Sequence, residues 1–249
     1  MANLISVQNL TKSFGGLHAV RGISFSVSKG EVLGFLGCNG AGKTTTMQML
    51  AGYLPSDKGD ISICGQTMTT DAYELRKHIG YLPEGGPLYQ DMRTKDMLCF
   101  MATMLQLSGA KKRERIDYVT HVLHLEPVLH QSIDTLSKGY RRRIALALAL
   151  LHDPEVLILD EPTDGLDPNQ KHEVQELIAG ITKDKAIIIS THILDEVEAL
   201  CKRALIIEKG QVIASGTIPQ LIKRADSKAG NLTEAFRILT HPYRSNHVS

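Results

Sequence analysis

The stretch GCNGAGKT, residues 37–44, does most to limit what this chain can fold into. It fits G-x-x-x-x-G-K-[S/T] and follows EVLGFL, an almost continuous apolar run. Such a run, ending at glycine, suits a strand buried on both faces. The residues after it read as a helix from 43 to about 51. Glycines let the backbone turn several N–H groups toward one anion, and a helix start adds a favourable dipole. Lys43 can then reach the β and γ phosphates of a nucleotide, and the Thr44 hydroxyl can bind Mg²⁺. A chance glycine turn would not need a strand on one side and a helix on the other. Gly37, Cys38, Asn39, Gly40, Ala41, Gly42, Lys43, Thr44 and Thr45 are the candidate phosphate-binding residues.

The 249 residues, 43% of them hydrophobic, suffice for one large domain or two small ones. A formal charge of +1 gives no basic excess to draw the chain to nucleic acid. The four cysteines, Cys38, Cys64, Cys99 and Cys201, are scattered, so neither a disulfide framework nor a cysteine metal site is expected. The longest apolar run, residues 144–151, is well short of the roughly 20 residues that span a membrane, and it reads as a buried helix. The first residues lack the charged-then-apolar pattern of a leader.

Short strands are expected at residues 4–7, 24–27, 31–36 and 61–64. The texture turns helical from 93 to about 129, where Met97, Leu98, Met101, Met104 and Leu105 repeat at three-and-four spacing, mostly as core packing. A further helix is expected over 137–151. Strand and helix then alternate: 156–159, 169–179, 186–190, 193–201 and 204–207. This alternation predicts an α/β fold with a largely parallel sheet covered by helices.

The run VLILDEP, residues 156–162, delivers Asp160 and Glu161 at the C-terminal end of a strand, where ligands gather in such sheets. Asp160 can hold Mg²⁺, and Glu161 can polarise an attacking water. A kinase, a GTPase or a recombinase would fit these two motifs equally well. A third motif narrows the choice: LSKGYRRR, residues 136–143, resembles the LSGGQ signature of the ABC ATPases. From the resemblance, Ser137 and the backbone of Gly139 would face the γ-phosphate of a nucleotide held by another subunit. His192 would be the switch histidine, residues 165–167 the loop between subunits, and Phe14 the aromatic stacked on adenine. The likeness runs from about residue 4 to 222. It implies a P-loop NTPase with a mainly parallel sheet core, an N-terminal antiparallel β subdomain and a helical subdomain, about 85–150, carrying the signature. The ATPase domain would span 1–222, and 223–249 would form a C-terminal helix and a mobile tail.

Three features depart from the family pattern. Cys38 stands where proline is usual, Lys138 and Tyr140 replace Gly and Gln, and Glu84 stands for a glutamine that links Mg²⁺ to the membrane partner. The last two resemble a branch of type-two exporters, as does the segment LTEAFRILT, residues 232–240. The resemblance therefore implies an ATP hydrolase that uses ATP and Mg²⁺. Glu161, His192 and Lys43 would be catalytic, and Thr44, Asp160 and Glu84 would be at the metal. It also implies an integral membrane permease as partner, an ATP-bound homodimer, no nucleic acid, and a place at the cytoplasmic face of the cell membrane. Two alternatives remain open: a mechanical ABC ATPase that moves no cargo, and a soluble ABC protein outside transport.

Overall fold

The computed structural model describes residues 3–69, 73–227 and 230–244. In chain order the elements are β1 (Asn3–Phe14), β2 (Leu17–Ser28), β3 (Glu31–Leu36), α1 (Lys43–Leu50), β4 (Lys58–Ile63), β5 (Gln66–Thr67) and α2 (Tyr73–Arg76). Then follow β6 (Ile79–Leu82), α3 (Thr94–Met104), α4 (Gly109–Val122), α5 (Lys138–Leu150), β7 (Val156–Asp160) and α6 (Pro168–Ile181). The chain closes with β8 (Ala186–Thr191), α7 (Leu194–Leu200), β9 (Arg203–Glu208), β10 (Gln211–Thr217), α8 (Ile218–Arg224) and α9 (Leu232–Arg244).

Two sheets result. One is antiparallel, in the order β2-β1-β4-β5; the other has the order β10-β9-β3-β8-β7-β6. In the second, β9, β3, β8, β7 and β6 run parallel and only β10 is antiparallel. The apolar strands of this sheet divide their side chains between two cores with the period of two that a pleat imposes. Leu33, Phe35, Ile158 and Ile188 enter one core; Val32, Leu36, Leu157 and Ile187 enter the other.

The first core lies between the two sheets and encloses α1, whose Met47, Met49 and Leu50 are fully buried. The second lies on the opposite face, beneath α5, α6, α7 and α9. Among the described residues, no helix is long and apolar enough to cross a membrane.

Several expectations need correction. The first two strands are 12 residues each, far longer than 4–7 and 24–27, and pair through repeated register shifts. The loop Gly15-Gly16 joins them, the two-residue connection that favours a hairpin. The helical stretch 93–129 breaks at Gln106, which has φ 61, into α3 and α4. Within its apolar stripe Met97 and Leu98 are buried, whereas Met104 is 61% exposed. Strands β6 and β10 were not foreseen. The C-terminal helix continues to Arg244, beyond the expected 240. The rest of the expected tail, 245–249, lies outside the described residues.

Candidate nucleotide site

The loop between β3 and α1 opens at the C-terminal ends of β3, β8 and β7. Gly42, the residue before α1, has φ 103, and a Cβ there would come 2.5 Å from the Ala19 carbonyl oxygen. Glycine is therefore required twice over, by backbone conformation and by the close passage of β2.

Beside this loop is a cleft of about 620 Å³. Its lining includes Phe14, Asn39, Gly40, Gly42, Lys43, Thr44, Thr45, Glu84 and Glu161. The sequence did not single out Leu17, His18, Ala19, Arg21 and Lys209, which also line it. Phe14 stands at the tip of the β1–β2 hairpin, 48% exposed, with Lys12 Nζ 5.7 Å from its ring centre. An exposed ring at the rim of a cleft offers a face for stacking rather than for core packing.

At the floor, Lys43 Nζ donates to the carbonyls of Gly37 (2.9 Å) and Cys38 (3.4 Å). It also lies 3.7 Å from Glu161 Oε1. His192, one residue past β8, places Nδ1 3.0 Å from both Glu161 carboxylate oxygens. Glu161 itself has φ 50, unusual for a residue with a side chain, and its N–H donates to the Ser190 carbonyl. Three residues far apart in sequence thus meet around one carboxylate.

Asp160 lies at the end of β7 with no exposure. Burial pushes its carboxyl pKa up; the hydroxyls of Ser190 and Thr44 pull it down, and the charges of Glu161 and Glu84 raise it again. Ser190 Oγ donates to Asp160 Oδ1, while Oδ2 is buried with no hydrogen-bond partner. A buried carboxylate oxygen left unpartnered beside a threonine hydroxyl and an open cleft fits a hard divalent cation. Among the described residues no group of three or more His, Cys, Asp or Glu gathers as a metal site.

Ser137 caps α5: its Oγ accepts from the Tyr140 N–H. Gly139 is buried against Gln170, and Lys138 pairs with Asp164 at 3.1 Å. Neither Ser137 nor Gly139 is among the residues lining the cleft. Asp167, in the expected inter-subunit loop, caps α6 by accepting from the Gln170 N–H. A buried network went unread in the sequence: Glu196 accepts hydrogen bonds from the hydroxyls of Thr163 and Thr191, just past Glu161 and just before His192.

Fold and cleft together define a P-loop nucleoside-triphosphate-binding protein. Comparison narrows this further: the family model for the ABC transporter matches residues 20–164. The chain is 41% identical over 215 residues to the uncharacterised ABC transporter ATP-binding protein YhcH of Bacillus subtilis, covering 86% of this chain and 70% of that one. It is 39% identical over 220 residues to the Nod factor export ATP-binding protein I of Burkholderia orbicola, covering 88% and 72%. A solved structure of an ATP-binding subunit of an ABC transporter superposes with a TM-score of 0.87 at 30% identity, over 95% of this chain and 99% of that one. The chain belongs to the ABC transporter family, as an ATP-binding and ATP-hydrolysing subunit.

Proposed function

We propose that this subunit hydrolyses Mg²⁺–ATP in the cleft beside Phe14, with Glu161 as general base, and drives export through a separate membrane permease. The observation that carries the reading is the meeting of Lys43 and His192 at Glu161, whose side chain lines the cleft with that of Lys43. The backbone N–H groups from Asn39 to Thr45 and the ammonium of Lys43 receive the phosphates, where a helix start favours negative charge. Phe14 takes the adenine on its exposed face. Glu161 accepts the proton of the attacking water, and His192 holds the carboxylate in place through its Nδ1. Thr44 and Asp160, with Glu84 nearby, would hold Mg²⁺, which supplies charge neutralisation at the β and γ phosphates.

Ser137 and Gly139 do not line the cleft, so the reading assigns them to a nucleotide held by a second copy of the chain. Two copies then enclose two ATP molecules. The permease docks beside Glu84; Tyr89, five residues after Glu84, is exposed and stands edge-on to Phe100 at 5.8 Å, which supports an apolar contact there. Export rests on the LSKGY and LPE segments and on the relative named for Nod factor export. The subunit would then work at the cytoplasmic face of the cell membrane.

The test is Glu161→Gln. Losing the base should lower turnover by about 10²–10⁴-fold without weakening ATP binding. Light scattering should then find a dimer in ATP and not in ADP, and adding Ser137→Arg should abolish it. A Glu161→Gln protein that stays monomeric with ATP demonstrably bound would overturn the two-copy reading.

A further inference from the structure

One buried cation next to the site has no part in the chemistry above. Arg142 lies in α5, 8% exposed, in the run of three arginines after the signature. Its neighbours turn elsewhere: Arg143 pairs with Glu173, and Arg141 reaches the Asp134 carbonyl. Arg142 alone points under the cleft.

Its guanidinium donates to four main-chain oxygens on two separate segments. Nη1 reaches the Pro83 carbonyl at 3.1 Å, the residue before Glu84. Nε reaches the Pro162 carbonyl at 3.0 Å. Nη2 reaches the Asp160 carbonyl at 2.6 Å and also bonds the Glu161 carbonyl. Burial lowers its pKa, opposed by the charges of Asp164, Asp160, Glu161 and Glu84 around it. The segment carrying Pro83 lies flat on α5: a Cβ at Gly86 would come 2.9 Å from Ala145 Cβ. A planar fork of fixed donors ties such segments rigidly, whereas an ammonium on a flexible stem does not.

We propose that Arg142 is a positioning residue for hydrolysis. It fixes the backbone beneath Asp160 and Glu161 relative to the segment that ends in Glu84, so a shift of that segment moves the two carboxylates. The inference rests on Glu161 acting as the base. It gives the α5 helix a second role, beyond presenting Ser137 to a partner: the helix also sets the geometry of its own chain's carboxylates.

The experiment is a cycle on the purified chain with Arg142→Lys, Glu161→Gln and the double variant. Arg142→Lys should lower kcat by about 10²-fold, the order expected of a misplacement of about 1 Å, with ATP KM little changed. In the Glu161→Gln background the same change should cost almost nothing further, because it acts through the side chain already removed. Arg142→Gln, which keeps two donors, serves the same cycle should the lysine variant fail to fold. Full kcat in either folded variant overturns the proposal. So do losses that multiply in the double variant, since a general defect in folding would be additive. Glu161→Gln turning over at the wild-type rate would instead overturn the base assignment on which the proposal rests.

Discussion

Lys43 Nζ stands 3.7 Å from Glu161 Oε1, and both side chains are more than nine-tenths buried. The ammonium assigned to the γ-phosphate and the carboxylate assigned to water are in direct electrostatic contact. An incoming triphosphate therefore meets the negative charge of Glu161 as it approaches Lys43. Glu161→Gln should bind ATP several-fold more tightly than wild type, while Lys43→Ala should bind it about 10- to 100-fold more weakly, the range for hydrogen bonds to charged groups. Titration calorimetry on the two variants separates these directions, and equal or weaker binding by Glu161→Gln would remove the competition argument.

Phe14 should matter for binding and not for folding. Its ring is half exposed at a hairpin tip, so Phe14→Ala should leave Tm nearly unchanged. Stacking of a base on an aromatic ring is worth about 1–3 kcal/mol, so ATP affinity should fall by roughly 5- to 150-fold. Tripolyphosphate, which has no base, should bind both proteins alike. A loss of the same size for tripolyphosphate would place Phe14 among residues that shape the loop.

Gly42 should tolerate no side chain. With φ 103 and the Ala19 oxygen 2.5 Å from a built Cβ, Gly42→Ala combines backbone strain with a clash against main chain. Strain of this kind costs about 1–3 kcal/mol, before the clash is counted. Gly40, whose Cβ would meet nothing within 4 Å, provides the control. Urea unfolding should rank Gly42→Ala clearly below Gly40→Ala, and equal stability would refute the close approach of β2.

Glu196 gives a pH dependence with a definite sign. Burial raises its pKa in the folded protein, partly offset by the Thr191 hydroxyl and Lys171, with Glu161 raising and His192 lowering it further. Below the ordinary glutamate value both folded and unfolded chains carry the proton, and nothing is lost. As pH rises, the unfolded chain ionises first, so stability falls through the window up to the raised folded value. Glu196→Gln removes that loss and keeps an acceptor for one threonine, while its amide can donate to the other. Thermal unfolding from pH 5 to 8 should find the variant gaining on wild type as pH rises; a constant difference would mean that Glu196 is ionised throughout in both states.

Legibility in the sequence followed the range of the interactions. The glycine-rich turn between β3 and α1 and the strand ending at Asp160 were readable because each is a contiguous run whose local structure depends on immediate neighbours. The parallel core was readable because strands apolar on both faces leave a continuous hydrophobic record, as in residues 31–36 and 156–160. The length of the β1–β2 hairpin was not, because its outer half alternates polar and exposed residues and is held by pairing with β2. The Gly15-Gly16 pair was the available signal. Arg142 and Glu196 escaped because their partners are carbonyls and hydroxyls 18 to 59 and 5 to 33 residues away. In the sequence Arg142 is one of three adjacent arginines, and no pattern separates it from the others.

The enclosure of α1 between the two sheets decides where the molecule can yield. Met47, Met49 and Leu50 have no exposure, so α1 cannot shift without opening the core on both sides. Its amide hydrogens should be among the slowest in the chain to exchange with solvent, tracking whole-molecule unfolding. The loop that begins it inherits that stiffness, so under the proposed function phosphates would meet donors already in place and little ordering would remain to be done on binding. Compliance is left to the outer side, where α3 to α5 and the connection from β6 ride over a single face of the sheet. A pull from a bound partner would bend that side, carrying the carboxylates tied to Arg142 with it, and leave the glycine loop at the start of α1 in place.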